Sequence, residues 1–147
     1  MYSSDYNQIL PNLYIGNERS ARNYGDRFNL VVNCTPTIPF HINARNKIRI
    51  SVDDDPAESA NMYRELYQSN ALSYMHESLE NNRPVLVHCH AGMQRSCAVV
   101  ACYLINYYGL DPYTAVEYIK QKRPVAFLGG VNFKDTIMGY WNSLHNY

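Results

Sequence analysis

The 147-residue chain has no excess of charge: 13 lysines and arginines balance 13 aspartates and glutamates. With no global field of either sign, nothing draws it electrostatically to nucleic acid or to an anionic membrane surface. No secretory signal is expected either, because Met1-Tyr2-Ser3-Ser4-Asp5-Tyr6 has no basic stretch leading into an apolar one. No apolar run approaches the roughly 18 residues that a membrane span needs. Internal repeats, low-complexity tracts and interdomain linkers are also lacking. The four cysteines, at 34, 89, 97 and 102, never form a Cys-x2-Cys pair, which argues against a zinc site and against a disulfide framework. The expectation is therefore one domain over 1–147, large enough to bury a core. No metal or cofactor is expected, and the setting is a reducing, cytoplasmic compartment, with access to the nucleus left open. No feature of the sequence sets an oligomeric state.

What is present is concentrated in one stretch, His88-Cys89-His90-Ala91-Gly92-Met93-Gln94-Arg95-Ser96. Upstream, Pro84-Val85-Leu86-Val87 reads as a buried strand. Downstream, Cys97 to Ile105 is almost wholly apolar and reads as a buried helix, with Cys97 and Cys102 packed in the core. A strand, a tight loop and a helix N-terminus form an anion cradle, because the first N–H groups of a helix lack internal partners and its dipole favours negative charge. Those groups and Arg95 stabilise an anionic sulfur at Cys89. They also suit the oxygens of a phosphoryl group, which the Arg95 guanidinium can grip in a bidentate fork. An activated thiolate at the floor of such a site implies in-line attack on phosphorus and a cysteinyl-phosphate intermediate. A metal site at His88-Cys89-His90 is not expected, since neighbouring strand residues point to opposite faces and no second ligand cluster exists.

Elsewhere, Leu10 to Gly16 reads as a short strand, after which Asn17 caps a helix running to about Tyr24. Phe28 to Cys34 is apolar enough for a strand inside a sheet. Thr35 to Asn46 is a loop, and Lys47 to Val52 alternates, placing Ile48, Ile50 and Val52 inward. Ala57 to Asn81 reads as one long helix with Met62, Leu66, Leu72, Met75 and Leu79 inward, its stripe blurred around Gln68 to Asn70. Gly109 reads as a C-cap and Asp111-Pro112 as the start of a helix to about Lys122, which Arg123-Pro124 breaks. A last helix from about Val131 buries Phe133, Ile137, Trp141 and Leu144. Strands alternating with helices predict an α/β fold with a mainly parallel central sheet flanked by helices.

The Cys-x5-Arg-Ser pattern, preceded by His and containing Ala-Gly, resembles the signature of the cysteine-dependent protein phosphatases. In the form His-Cys-His-Ala-Gly-Met-Gln-Arg-Ser it is most similar to their dual-specificity branch. Leu13-Tyr14-Ile15-Gly16, Val31 to Thr35, Ile50-x-Val52-x-Asp54 and Ala115-Val116 through Arg123-Pro124 resemble further markers of that family in the expected order. The resemblance implies a protein-tyrosine-phosphatase-like fold and a role for each site residue. Asp54 becomes the general acid that protonates the leaving oxygen, while Asp53 and Asp55 only end the strand. Ser96 becomes the hydroxyl that stabilises the departing thiolate, and it is also expected at the helix N-cap. His88 orients the loop and tunes the thiol by hydrogen bonding, and His90, Ala91, Gly92, Met93 and Gln94 contribute backbone N–H groups. One departure stands out: Phe127-Leu128-Gly129-Gly130-Val131-Asn132 replaces the family's Pro-Asn, which makes Asn132 the candidate for buttressing the loop. Cys34 ends the strand expected beside the active one, and a protective disulfide with Cys89 is left open.

The implied substrates are phosphorylated proteins bearing phosphotyrosine, phosphoserine or phosphothreonine. Relatives acting on RNA 5′ ends or phosphoinositides are the first alternative. The RNA-directed ones carry a His-Gly-x-Asn-Arg-Thr loop and the lipid-directed ones place lysines in it, whereas this interior is His-Ala-Gly-Met-Gln. A non-catalytic phosphoprotein-binding module is the second alternative. It fits poorly because the nucleophile, arginine and acid are all present.

Overall fold

The computed structural model describes residues 4–145. Its N-terminal segment is a hairpin, β1 (Tyr6–Leu10) antiparallel to β2 (Leu13–Gly16), rather than the single strand predicted from Leu10 to Gly16. Pro11-Asn12 makes the turn, with Asn12 at φ 68, a left-handed conformation that Asn tolerates. Asn17 then caps α1 (Glu18–Tyr24) as expected, its side-chain oxygen accepting the Ser20 N–H at 2.9 Å.

The strands β3 (Leu30–Asn33), β4 (Asn46–Arg49) and β5 (Val85–His88) complete a sheet in the order β1-β2-β5-β3-β4. All pairings except β1–β2 are parallel, so the mainly parallel sheet expected from the alternating pattern is present. Both faces are covered, which explains why β3 and β5 read as unbroken apolar runs. Val85 and Val87 join the main core, while Leu86, pointing the other way, meets Ala21, Phe28 and Val31 beneath α1.

On the main face lie α2 (Ser59–Ser69), α3 (Ala71–Glu80), α4 (Arg95–Tyr108), α5 (Pro112–Lys122) and α6 (Lys134–His145). The long helix predicted over 57–81 is two helices. Asn70 adopts φ 56 between them, at the point where the apolar stripe blurred. Met62, Leu66, Leu72 and Met75 are buried on both sides of that break, and Leu79 packs at the edge of the core. The central helix α4 is buried from Ser96 to Ile105 and ends at Gly109, φ 67, whose N–H returns to Ile105. Helix α5 starts as predicted, with Asp111 accepting the Thr114 N–H at 2.7 Å. The last helix begins at Lys134 instead of Val131. Phe133 and Ile137 are buried, but Trp141 is half-buried and Leu144 is 41% exposed, Tyr140 taking the inward place instead. No helix of the described residues is long and apolar enough to cross a membrane.

Candidate active site

Strand β5 is central in the sheet, with β2 and β3 parallel on either side, and its carboxyl end leads into residues 89–94 and then into α4. This is the end of a parallel sheet where ligands of α/β folds characteristically sit. The Cys89 thiol lies at the floor of the loop, 3% exposed, and Ser96 Oγ is 3.2 Å from its Sγ.

The loop takes its shape from what holds its carbonyls. That of His90 accepts the Glu18 N–H at 2.9 Å, and that of Met93 accepts the Phe127 N–H at 2.7 Å. Those of Ala91 and Gly92 accept from the Arg123 guanidinium at 3.3 and 2.7 Å. With four successive carbonyls turned to the scaffold, the N–H groups of residues 90–94 donate to no protein acceptor among the described residues. Gly92 permits this path: φ is 69, and a Cβ there would lie 2.6 Å from the Gly16 carbonyl oxygen. Arg95 opens α4, its Nη1 donating to the Val52 carbonyl at 2.9 Å, while its Nε is buried without a protein partner. A buried guanidinium N–H and an array of free amide donors around a thiol fit an anion with several oxygens.

His88 is fully buried at the end of β5, and burial pushes its pKa down to about 4, so it is neutral at physiological pH. Its Nδ1 reaches the Cys89 carbonyl at 3.4 Å, so it bears on the backbone of the residue that carries the thiol, and its Nε2 is buried without a partner among the described residues. Ser96 is inside the first turn of α4 and does not cap it, a correction to the predicted N-cap. Burial raises the thiols of Cys34, Cys97 and Cys102, which keeps them protonated, and all four cysteines are free.

Asp54 lies exposed two residues beyond Val52, and its Oδ1 accepts from Asn132 Nδ2 at 3.0 Å. Its neighbours differ. Asp55 caps a 3-10 turn by accepting the Ala57 N–H at 2.9 Å, and Asp53 is held through its backbone, its N–H donating to Glu58 Oε1 and its carbonyl accepting the Asp55 N–H. Asn132, the candidate for buttressing the loop, contacts it through its N–H, which donates to Gln94 Oε1 at 3.0 Å, while its side chain goes to Asp54. Two contributors went unread in the sequence. Arg123 reads in the sequence as part of a helix break and of the Arg-Pro family marker, and Gln94 as a backbone donor, and neither reading gives the side chain its role.

The family model for the dual specificity phosphatase catalytic domain matches residues 13–143. The chain belongs to that family. Similar to this phosphatase domain is the protein named tyrosine phosphatase 123R in Invertebrate iridescent virus 6, 33% identical over 124 residues, which cover 82% of this chain and 81% of that protein. Dual specificity protein phosphatase 9 of Homo sapiens is 32% identical over 123 residues, 79% of this chain but only 31% of the longer relative. Among solved structures, human DUSP28 superposes with a TM-score of 0.85 at 25% identity, covering 98% of this chain and 97% of that one.

Proposed function

We propose that this phosphatase domain hydrolyses phosphotyrosine and phosphoserine or phosphothreonine monoesters in proteins through a phosphocysteine at residue 89. The observation that carries the reading is the buried Cys89 thiol ringed by unpartnered amide N–H groups and the free Arg95 Nε. Bound there, three phosphoryl oxygens meet donors already in place, so little reorganisation accompanies the transition state. The Cys89 sulfur attacks phosphorus, the phosphorus–oxygen ester bond breaks, and Asp54 supplies a proton to the departing alkoxide or phenoxide, a step commonly worth about 10²–10⁴-fold. Water then attacks phosphorus, releasing inorganic phosphate, and Ser96 Oγ, 3.2 Å away, stabilises the thiolate that departs. His88, neutral and buried, steadies the loop backbone.

The chemistry needs no metal or redox cofactor. A thiolate nucleophile survives in a reducing compartment, which supports an intracellular setting. The absence of lysine inside the loop favours phosphoproteins over the more highly charged phosphoinositides.

The test is rapid acid quench with a radiolabelled phosphopeptide, followed by peptide mapping. Label should appear on Cys89, and Cys89→Ser should abolish both label and turnover. A parallel panel of phosphopeptides, RNA 5′-triphosphate and phosphoinositides should rank the phosphopeptides first. Turnover that survives Cys89→Ser defeats the mechanism, and preference for RNA or lipid defeats the substrate class.

A further inference from the structure

Thiolate attack within Cys-x5-Arg needs no carboxamide before the arginine, yet Gln94 is buried there and uses its whole amide. Nε2 donates to the carbonyls of Leu128 and Gly130 at 3.2 and 2.7 Å, and Oε1 accepts the N–H of Asn132 at 3.0 Å. The segment it holds has no ladder of its own. Phe127, Gly129 and Gly130 adopt φ values of 60, 84 and 119, and Leu128 is 57% exposed. At the end of that segment Asn132 Nδ2 donates to Asp54 Oδ1. A continuous set of hydrogen bonds thus runs from the phosphate loop to an exposed carboxylate 40 residues earlier than Gln94 in the chain.

We infer that Gln94 and Asn132 are positioning residues for the general acid, fixing the Asp54 carboxyl relative to the phosphate loop. The inference rests on reading Asp54 as that acid. The Asn132 amide offers a donor to Oδ1, which disfavours a proton on that oxygen and leaves Oδ2 to carry the transferable one. An exposed carboxylate on a turn otherwise samples several rotamers, and proton transfer to a leaving oxygen requires approach within hydrogen-bond reach. Gln94 supplies the fixed end of the strut. Because it belongs to the loop that grips the phosphate, the acid is registered to the bound phosphoryl group and not merely to the fold. Glutamate could not substitute, since it would turn an acceptor toward the Leu128 and Gly130 carbonyls.

The test measures kcat/KM against pH with aryl phosphates whose leaving groups range from nitrophenol to phenol. A poor leaving group depends on the acid and a good one does not. Gln94→Ser, Gln94→Glu and Asn132→Ala should each lose about tenfold more activity on phenyl phosphate than on nitrophenyl phosphate. Added to Asp54→Asn, Gln94→Ser should leave the leaving-group dependence where Asp54→Asn alone sets it. A loss equal across all leaving groups assigns Gln94 to bracing the phosphate loop and overturns the inference, while Asp54→Asn still removes the alkaline limb. If Asp54→Asn itself leaves both limb and leaving-group dependence unchanged, the acid has been misassigned and the inference falls with it. Asn132→Ala removes only a half-buried side chain, so it answers the question even if the Gln94 variants fail to fold.

Discussion

Arg123 Nε lies 2.7 Å from the carbonyl oxygen of Gly92, 31 residues earlier in the chain. The same guanidinium reaches the Ala91 carbonyl through Nη2, and the Ser4 carbonyl and the Asn7 side chain through Nη1, at 3.0 and 2.7 Å. It is 1% exposed and ties the outer face of the phosphate loop to the start of the chain. No other side chain type offers five planar donors in this arrangement.

Arg123→Met should therefore cost about 3 kcal/mol or more, because several buried acceptors lose their donor at once. Arg123→Lys should fall between the variant and the native chain, since one ammonium cannot span all four partners. Urea midpoints measure the loss, and phosphatase activity should drop in step as the Ala91 and Gly92 carbonyls relax. A midpoint unchanged in Arg123→Met would mean that the clamp contributes nothing.

The 3.2 Å contact between Ser96 Oγ and Cys89 Sγ predicts a kinetic signature. A charge-assisted hydrogen bond to the departing sulfur is worth about 1.5–3 kcal/mol, so Ser96→Ala should lower kcat by roughly 10- to 100-fold. Formation of the phosphoenzyme does not draw on that bond in the same sense, so kcat/KM should change much less. Stopped-flow release of nitrophenol should then show a burst equal to the enzyme concentration. Equal falls in kcat and kcat/KM, with no burst, would place Ser96 outside the breakdown step.

His88 makes stability pH-dependent, and the sign follows from its burial. A free histidine titrates near 6.5, whereas His88 in the fold holds no proton until about 4. Between those values the unfolded chain binds more protons, so stability falls as the pH drops through that window and is unaffected above it. The full difference corresponds to roughly 3 kcal/mol. Replacing His88 by Gln should flatten this part of the profile, measured as urea midpoints for both chains from pH 7 to pH 4.5. Parallel profiles would indicate that His88 takes up its proton at the same pH in the folded and unfolded chains.

The elements whose signals lie within a few residues were legible before any coordinates. Asn17 and Asp111 cap their helices through the N–H groups three residues on, as their spacing requires, and Gly109 closes α4 at φ 67, where a residue without Cβ carries no strain. The break at Asn70 was visible only as a blurred stripe. A single left-handed residue interrupts the backbone without altering the hydrophobic spacing on either side. The hairpin at Pro11-Asn12 was missed for a related reason. The strand β1 holds one buried residue, Ile9, and its half-buried tyrosine and asparagine carry no clear alternation.

The sequence by itself determined that a thiol, a guanidinium and a hydroxyl, those of Cys89, Arg95 and Ser96, the proposed reactive set, lie within eight residues on a strand, loop and helix start whose geometry is local. Tertiary structure alone decided which way the loop faces, because its carbonyls are claimed by Glu18, Arg123 and Phe127 from three separate parts of the fold. It also decided that Asp54 meets Asn132, 78 residues away, and that Gln94 spends its amide on the segment between them and not on the anion site. Contacts of that kind depend on the packing of segments far apart in the chain, and they leave no period or spacing along it from which they could be read.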